Sequence, residues 1–203
     1  MKEKSFEREK ELLEAALDEF TMKNYEEASL NNIIKKAGIS KGTFYYHFRD
    51  KQSLYLYLLE HSVKTKWEFI NNRIKEYAES YEEKDIFEKF KLQARIGAEF
   101  ATAFPKYHML SKMFTKEKGN KIYEVAKDVL GKDTDESLEK MIYDAVDRGD
   151  FRNEFPREFM VKIISHLFMN FDEIFNSEED FELERMLKNL DNYVDFIKYG
   201  LGK

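Results

Sequence analysis

Apolar residues recur along the chain at spacings of three and four and never in sustained strict alternation. That pattern predicts helices and no strands. In residues 6–23, Leu13, Ala16, Leu17 and Phe20 form one stripe. Leu30, Ile33, Ile34 and Ala37 then fall at i, i+3, i+4 and i+7. Ser29 can cap that helix through its hydroxyl, and Gly38 can end it in the left-handed conformation. Ser40 is placed to cap a short helix of about 41–47, with Phe44 and Phe48 turned inward. Asp50 opens a long helix of about 51–79, whose Leu54, Leu58, His61 and Thr65 share a face. An Asp85/Glu88 capping box precedes a helix over 86–103, and Pro105 suits the first turn of the next, 105–114. Helices are further predicted over 122–130, ended by Gly131, and from Asp133 to Gly149. Another runs from Pro156 to about 175, then an acidic loop, then a last helix over about 181–199.

Composition adds little against this. The 203 residues hold two prolines and eight glycines, which suits an all-α chain of one large domain or two small ones. There is no cysteine, so no disulfide frame, thiolate metal site or Cys nucleophile. The start, MKEKSFEREKE, has mixed charge and no apolar core, and no apolar run nears a membrane span. A cytoplasmic protein with no membrane partner is expected. The formal charge of −6 argues against coating nucleic acid nonspecifically, although local charge decides steering at a contact.

Local charge changes the picture between Ser29 and Lys51. Lys35, Lys36, Lys41, Arg49 and Lys51 stand there against the single acid Asp50. Helix, glycine turn and short helix is the helix-turn-helix pattern, whose second helix enters the major groove of double-stranded DNA. The second helix is too short to be stable alone. Gly42 in its first turn lets a phosphate approach the backbone at the positive end of the helix dipole. Candidate DNA-binding residues are Ser29, Ser40, Lys41, Gly42, Thr43, Tyr45, Tyr46, His47 and Lys51. Lys41, Thr43 and Tyr46 are expected at bases or nearby backbone. Ser29, Tyr45, His47 and Lys51 are expected at phosphates.

The run Ala37-Gly38-Ile39-Ser40-Lys41-Gly42-Thr43-Phe44-Tyr45-Tyr46-His47-Phe48, followed by Lys51 and Leu54, resembles the signature of the TetR family of bacterial transcriptional regulators. Ala15, Ala16 and Phe20 stand where that family's first helix carries core residues, and Ser29 where it usually has Thr. Asn24 departs from a usual Gly, and Asn tolerates positive φ better than most residues. The resemblance covers roughly residues 6–60. It implies an all-α fold with an N-terminal three-helix head, residues 1–50, joined by a long helix to a helical ligand-binding and dimerisation domain, residues 51–203. It also implies an operator-bound repressor, a homodimer paired through its last two helices, and release by an inducer.

The remaining residues permit those implications without requiring them. Trp67, Phe100, Phe104, His108, Met109, Phe114, Tyr123, Met141, Phe168 and Phe171 could line an apolar pocket for an unidentified, mostly apolar ligand; each alone fits ordinary core packing. The long helix reaches Trp67 ~24 Å from Lys51 at 1.5 Å per residue, so it could couple a ligand to the head. In the last two helices apolar residues cover more than one face. Ile164, Phe168, Phe171, Leu187, Leu190 and Val194 are candidates for pairing with a second copy, or for the core of one subunit. The four histidines form no HxxxH or HExxH pair, and no P-loop, GxSxG or GxGxxG occurs. No cofactor, metal or catalytic site is expected. An all-α enzyme and a helical adaptor are the alternatives.

Overall fold

A computed structural model describes residues 8–77, 81–152, 154–175 and 182–200. They form α1 (Glu9–Met22), α2 (Leu30–Ala37), α3 (Lys41–His47), α4 (Lys51–Glu76), α5 (Ile86–Ala103), α6 (Pro105–Lys116), α7 (Lys121–Arg148), α8 (Arg157–Met169), α9 (Phe171–Ile174) and α10 (Leu183–Tyr199). Among the described residues there is no strand, and the fold is all-α.

Two compact units divide the chain. The first comprises residues 1–67 and 101–131, the second 68–100 and 132–203. Compactness thus breaks the chain elsewhere than at the expected boundary between 50 and 51. Three short helices are marginal alone because so small a body buries too little surface. Here Leu110 of α6 with Ile122 and Ala126 of α7 completes the core made by Leu12, Leu17, Phe20, Ile33, Phe44, Leu54 and Leu58. Asp18 on α1 receives Lys36 at 2.7 Å and Lys106 at 2.6 Å, which tie α2 and α6 to it. Hydrogen bonding to Lys106 first, then to Lys36, holds its carboxyl below the usual range. The second unit has its own core of Ile86, Phe87, Ile142, Ala145, Val161, Ile164, Phe168, Leu190 and Val194.

The start signals at Asp85 and Asp50 act as expected, while the one at Asp133 lies inside a continuous helix. The Asp85/Glu88 box closes both ways, with Glu88 N–H donating to Asp85 at 2.8 Å and Asp85 N–H to Glu88 at 3.2 Å. Asp50 accepts Ser53 N–H at 2.7 Å at the head of α4. Three expectations are corrected. Gly131 does not end a helix: α7 is continuous from Lys121 to Arg148. A mid-helix glycine costs only about 1 kcal/mol. Ile122 and Ala126 at one end of α7 and Ile142 and Ala145 at the other are each held in a core. The helix opened by Pro156 breaks at Asn170. Asn24 does not adopt positive φ. Instead its side-chain oxygen accepts Glu27 N–H at 2.9 Å and closes the turn as an Asx motif. The expected end of α4 past residue 77 and the acidic loop at 176–180 lie outside the described residues.

Candidate nucleic-acid interface

The head is built from its turns. Ser29 begins α2, its hydroxyl accepting Asn32 N–H at 3.4 Å. Ile33, Ile34 and Ala37 bury one side of that helix. Gly38 then turns at φ 65°, and Ile39 N–H reaches back to the Ile34 carbonyl at 3.3 Å. Arg8 donates to the Gly38 carbonyl at 2.7 Å. A Cβ at residue 38 would sit 2.8 Å from the same guanidinium nitrogen, which an exposed arginine can withdraw, so it is the backbone angle that demands glycine.

α3 is fastened by one residue and capped by another. Phe44 is fully buried, stacked on Phe48 with centroids 5.7 Å apart and met edge-on by Tyr45 at 5.2 Å. Ser40 Oγ accepts Thr43 N–H at 2.9 Å and lies 2.8 Å from the Thr43 hydroxyl. That leaves Lys41, Gly42, Thr43, Tyr45 and Tyr46 exposed, Tyr46 at 78%. His47 is half-buried, its ring edge-on to Tyr46 at 4.9 Å. A Cβ at Gly42 would meet nothing closer than Ser40 Oγ at 3.6 Å. Inside this chain nothing requires glycine there. The open space lies at the N-terminus of a helix, where backbone N–H groups favour an anion.

Two expected cations are engaged inside the head. Lys51 Nζ donates to the carbonyls of Tyr25 at 2.6 Å, Ala28 at 3.0 Å and Glu26 at 3.3 Å, and lies 4.4 Å from the Tyr25 ring centroid. An ammonium has three protons, so Lys51 holds the α1–α2 turn rather than presenting its charge outward. Lys36 is paired with Asp18. Exposed basic side chains on this part of the head are Lys35, Lys36, Lys41 and Arg49, of which Lys36 is the one paired with Asp18. The sequence offers no sign of the Lys51 contacts, because its acceptors are backbone atoms over twenty residues away.

The ten aromatic, Met and His candidates are divided between the two units. Trp67, Phe104, His108, Met109, Phe114 and Tyr123 belong to the first unit, Phe100, Met141, Phe168 and Phe171 to the second. Most pack in pairs: Phe114 on Tyr123 at 4.8 Å, Phe168 on Phe90 at 4.0 Å, Phe100 against Phe69 at 5.7 Å, Phe104 on Tyr107 at 6.0 Å, Phe171 against Tyr193 at 5.4 Å. Met141 packs on the second core, Trp67 is half-buried and Met109 is exposed. Burial, and then the charges of Lys112 and Lys66, push the imidazole of half-buried His108 below its usual value. Two cavities of about 470 Å³ each occur in the second unit with other linings. One is lined by Lys91, Arg95, Glu88 and Asp195 together with Tyr77 and Leu92. The other is lined by Phe151, Phe155, Met160, Ile164 and Ile197, with Arg152 and Lys198 among its polar groups. They share Phe87, Lys198 and Tyr199.

The residues expected to pair with a second copy are largely interior. Ile164, Phe168, Leu190 and Val194 are buried within one chain, while Leu187 and Phe171 are half-buried. Leu190, Val194 and Ile197 of α10 therefore pack into the core of a single chain. α8 does carry two apolar faces. Val161, Ile164 and Phe168 face inward, while Phe159 and Ile163 stay 48% and 43% exposed. Exposed Phe155 contacts Phe159 at 5.6 Å, and Phe196 on α10 is exposed as well.

An α2 ended by the Gly38 turn, a serine-capped α3 and an α1 packed on α2 define a helix-turn-helix head. Comparison with known proteins agrees. Residues 12–58 match the family described as bacterial regulatory proteins, tetR family. Over 59 residues the chain is 37% identical to the HTH-type transcriptional regulator YdgC of Bacillus subtilis (strain 168), covering 29% of this chain and 30% of that one. Over 63 residues it is 36% identical to the negative transcriptional regulator IcaR of the biofilm operon of Staphylococcus aureus (strain Newman), covering 31% and 32%. Both matches thus span about a third of either relative. A solved structure matches over the whole length: a TetR-family transcriptional regulator of Syntrophomonas wolfei, with TM-score 0.72, 25% identity and 97% of each chain covered. Residues 12–58 thus carry the N-terminal domain of the tetR family of bacterial regulatory proteins, and the fold as a whole is similar to that of a TetR-family regulator. Among the described residues no group of three or more His, Asp or Glu could hold a metal ion, and no helix is long and apolar enough to cross a membrane.

Proposed function

We propose that the chain is a transcriptional repressor that reads DNA with α3, works as a two-fold dimer and is released by a mostly apolar small molecule. One observation carries the DNA reading. The exposed side of α3 presents Lys41, Gly42, Thr43, Tyr45 and Tyr46 together, while Phe44 alone fastens the helix to the core. Base contacts specify and phosphate contacts position. Lys41, Thr43 and Tyr46 take the first role. Ser29, Tyr45 and His47 take the second with the α3 N-terminus. Ser40 caps that terminus, and Lys51 serves by holding the turn.

A selection from random duplexes should enrich a defined sequence, and none enriched would sink the reading. On the enriched duplex, Tyr45→Phe should weaken binding to all sequences alike. Lys41→Ala or Thr43→Ala should cost about 1–3 kcal/mol and also relax the base preference.

Repression follows the relative IcaR, described as a negative regulator. The partner surface is the outer side of α8, Phe159 and Ile163 with neighbouring Phe155, together with Phe196 of α10. For the effector, the cavity lined by Phe151, Phe155 and Met160 suits a mostly apolar molecule, with Arg152 for an anionic end, Lys198 being paired with Asp85 at 2.6 Å. Its volume of about 470 Å³ lies in the range of small-molecule sites. α4 begins at the head and continues unbroken for 26 residues, so it can transmit a change of state. Only a ligand that binds one state better shifts the equilibrium. A hydrophobic carboxylate that stabilises the protein thermally should lower duplex affinity about 5- to 150-fold. Binding that leaves duplex affinity unchanged would remove the effector part and spare the DNA reading.

A further inference from the structure

The turn between α1 and α2 is gripped from outside the three-helix head. Glu117, immediately after α6, is 3% exposed although it is a carboxylate. One oxygen accepts the backbone N–H of Tyr25 at 2.6 Å, the other the side-chain amide of Asn120 at 2.6 Å. Tyr25's own carbonyl accepts Lys51 at 2.6 Å. Both backbone groups of one turn residue are thus held by charged side chains, one from the 117–120 loop and one from the start of α4. Its ring lies 5.0 Å from that of Tyr55 and 6.3 Å from that of Phe20. The far end of the turn is tied as well, Ser29 N–H donating to Glu19 at 2.9 Å.

Burying a carboxylate is expensive unless its hydrogen bonds are made. Charge-assisted bonds of this kind are short and directional. Their geometric product is a fixed turn. Ser29, the N-cap of α2, follows Tyr25 by four positions, and Lys51, the first residue of α4, takes its acceptors from the turn.

We infer that Glu117 is a positioning residue for DNA binding: it fixes the α1–α2 turn, and through Lys51 and Ser29 it sets the starts of α4 and α2 around α3. This rests on the DNA reading above. Without the carboxylate, Tyr25 N–H has no acceptor, the turn relaxes, and Lys51 loses the carbonyls that hold it.

The test compares full-length wild type, Glu117→Ala and Glu117→Gln on a duplex enriched by wild type, at a temperature where all three are folded by circular dichroism. Gln keeps an acceptor for Tyr25 and can donate to Asn120 after an amide flip, so it should restore function. E117A should bind about tenfold more weakly, and E117Q within about threefold of wild type. Hydrogen exchange at 25–29 should quicken in E117A and not in E117Q. If E117A fails to fold, Glu117→Asp replaces it, since its shorter reach cannot serve both partners. Folded E117A, or E117D in its place, binding as tightly as wild type overturns the inference while leaving the DNA reading intact. So does E117Q binding as weakly as E117A. If wild type enriches no duplex, the DNA reading falls and this inference with it.

Discussion

Replacing Gly42 with alanine is expected to raise the stability of the head and lower its affinity for DNA. A side chain at this position meets no protein atom closer than 3.6 Å. Alanine favours a helix by up to about 1 kcal/mol over glycine. Thermal melts should therefore show an unchanged or higher midpoint. On DNA the added methyl occupies the space at the α3 N-terminus where a phosphate would approach. Overpacking of a close contact costs about 1–3 kcal/mol, so affinity for the enriched duplex should fall about 5- to 150-fold. Gly38→Ala is the contrast. That glycine sits at φ 65°, so the substitution should destabilise the head by about 1–2 kcal/mol. The two glycines stand four residues apart: the fold requires the first, and the proposed phosphate approach accounts for the second. Fluorescence anisotropy on the enriched duplex decides the matter. G42A binding as tightly as wild type would remove the proposed phosphate approach.

Charge placed on the outer side of α8 is expected to produce a monomer that no longer holds its operator. Phe159 and Ile163 are exposed in one chain, so Phe159→Glu or Ile163→Glu leaves the fold of a single subunit intact. In a dimer the same carboxylate would be buried without a partner, at a cost of several kcal/mol. Sedimentation should show wild type as a dimer and the variants as monomers, with unchanged circular dichroism. Duplex affinity should fall about a hundredfold or more, since one short helix alone contacts too few base pairs. Leu190→Glu should behave differently. Leu190 lies in the second core, and an unpaired charge there should unfold that unit instead of splitting a dimer.

These contrasts mark what could be read along the chain. Local signals were sufficient wherever a structure is closed by near neighbours. The caps at Ser29, Ser40, Asp50 and Asp85 and the stop at Gly38 each act over three to five residues. The inward set of α3 reduces to Phe44, which its apolar neighbours in the sequence already implied. Signals failed where the outcome depends on distant partners. Glu117 meets Tyr25 across 92 residues, and no spacing announces that. Lys51 looked like a phosphate contact because it is basic and starts a helix, yet its acceptors are turn carbonyls. Periodicity told that α8 has apolar residues on more than one face. It could not tell which face a single chain would cover, so Ile164 and Phe168 stood as candidates for a pairing face as much as for the core in which they pack. The ten aromatic, Met and His candidates met the same limit, since composition cannot separate a core pair such as Phe90–Phe168 from a ligand wall.

Hydroxyl-radical footprinting of the full-length protein on an enriched duplex tests most directly whether two copies read DNA through α3. Two protected patches related by a two-fold axis are predicted, their centres about one helical turn or a multiple of it apart. Thr43→Ala should weaken both patches equally. A single asymmetric patch, or protection indifferent to sequence, would contradict the account.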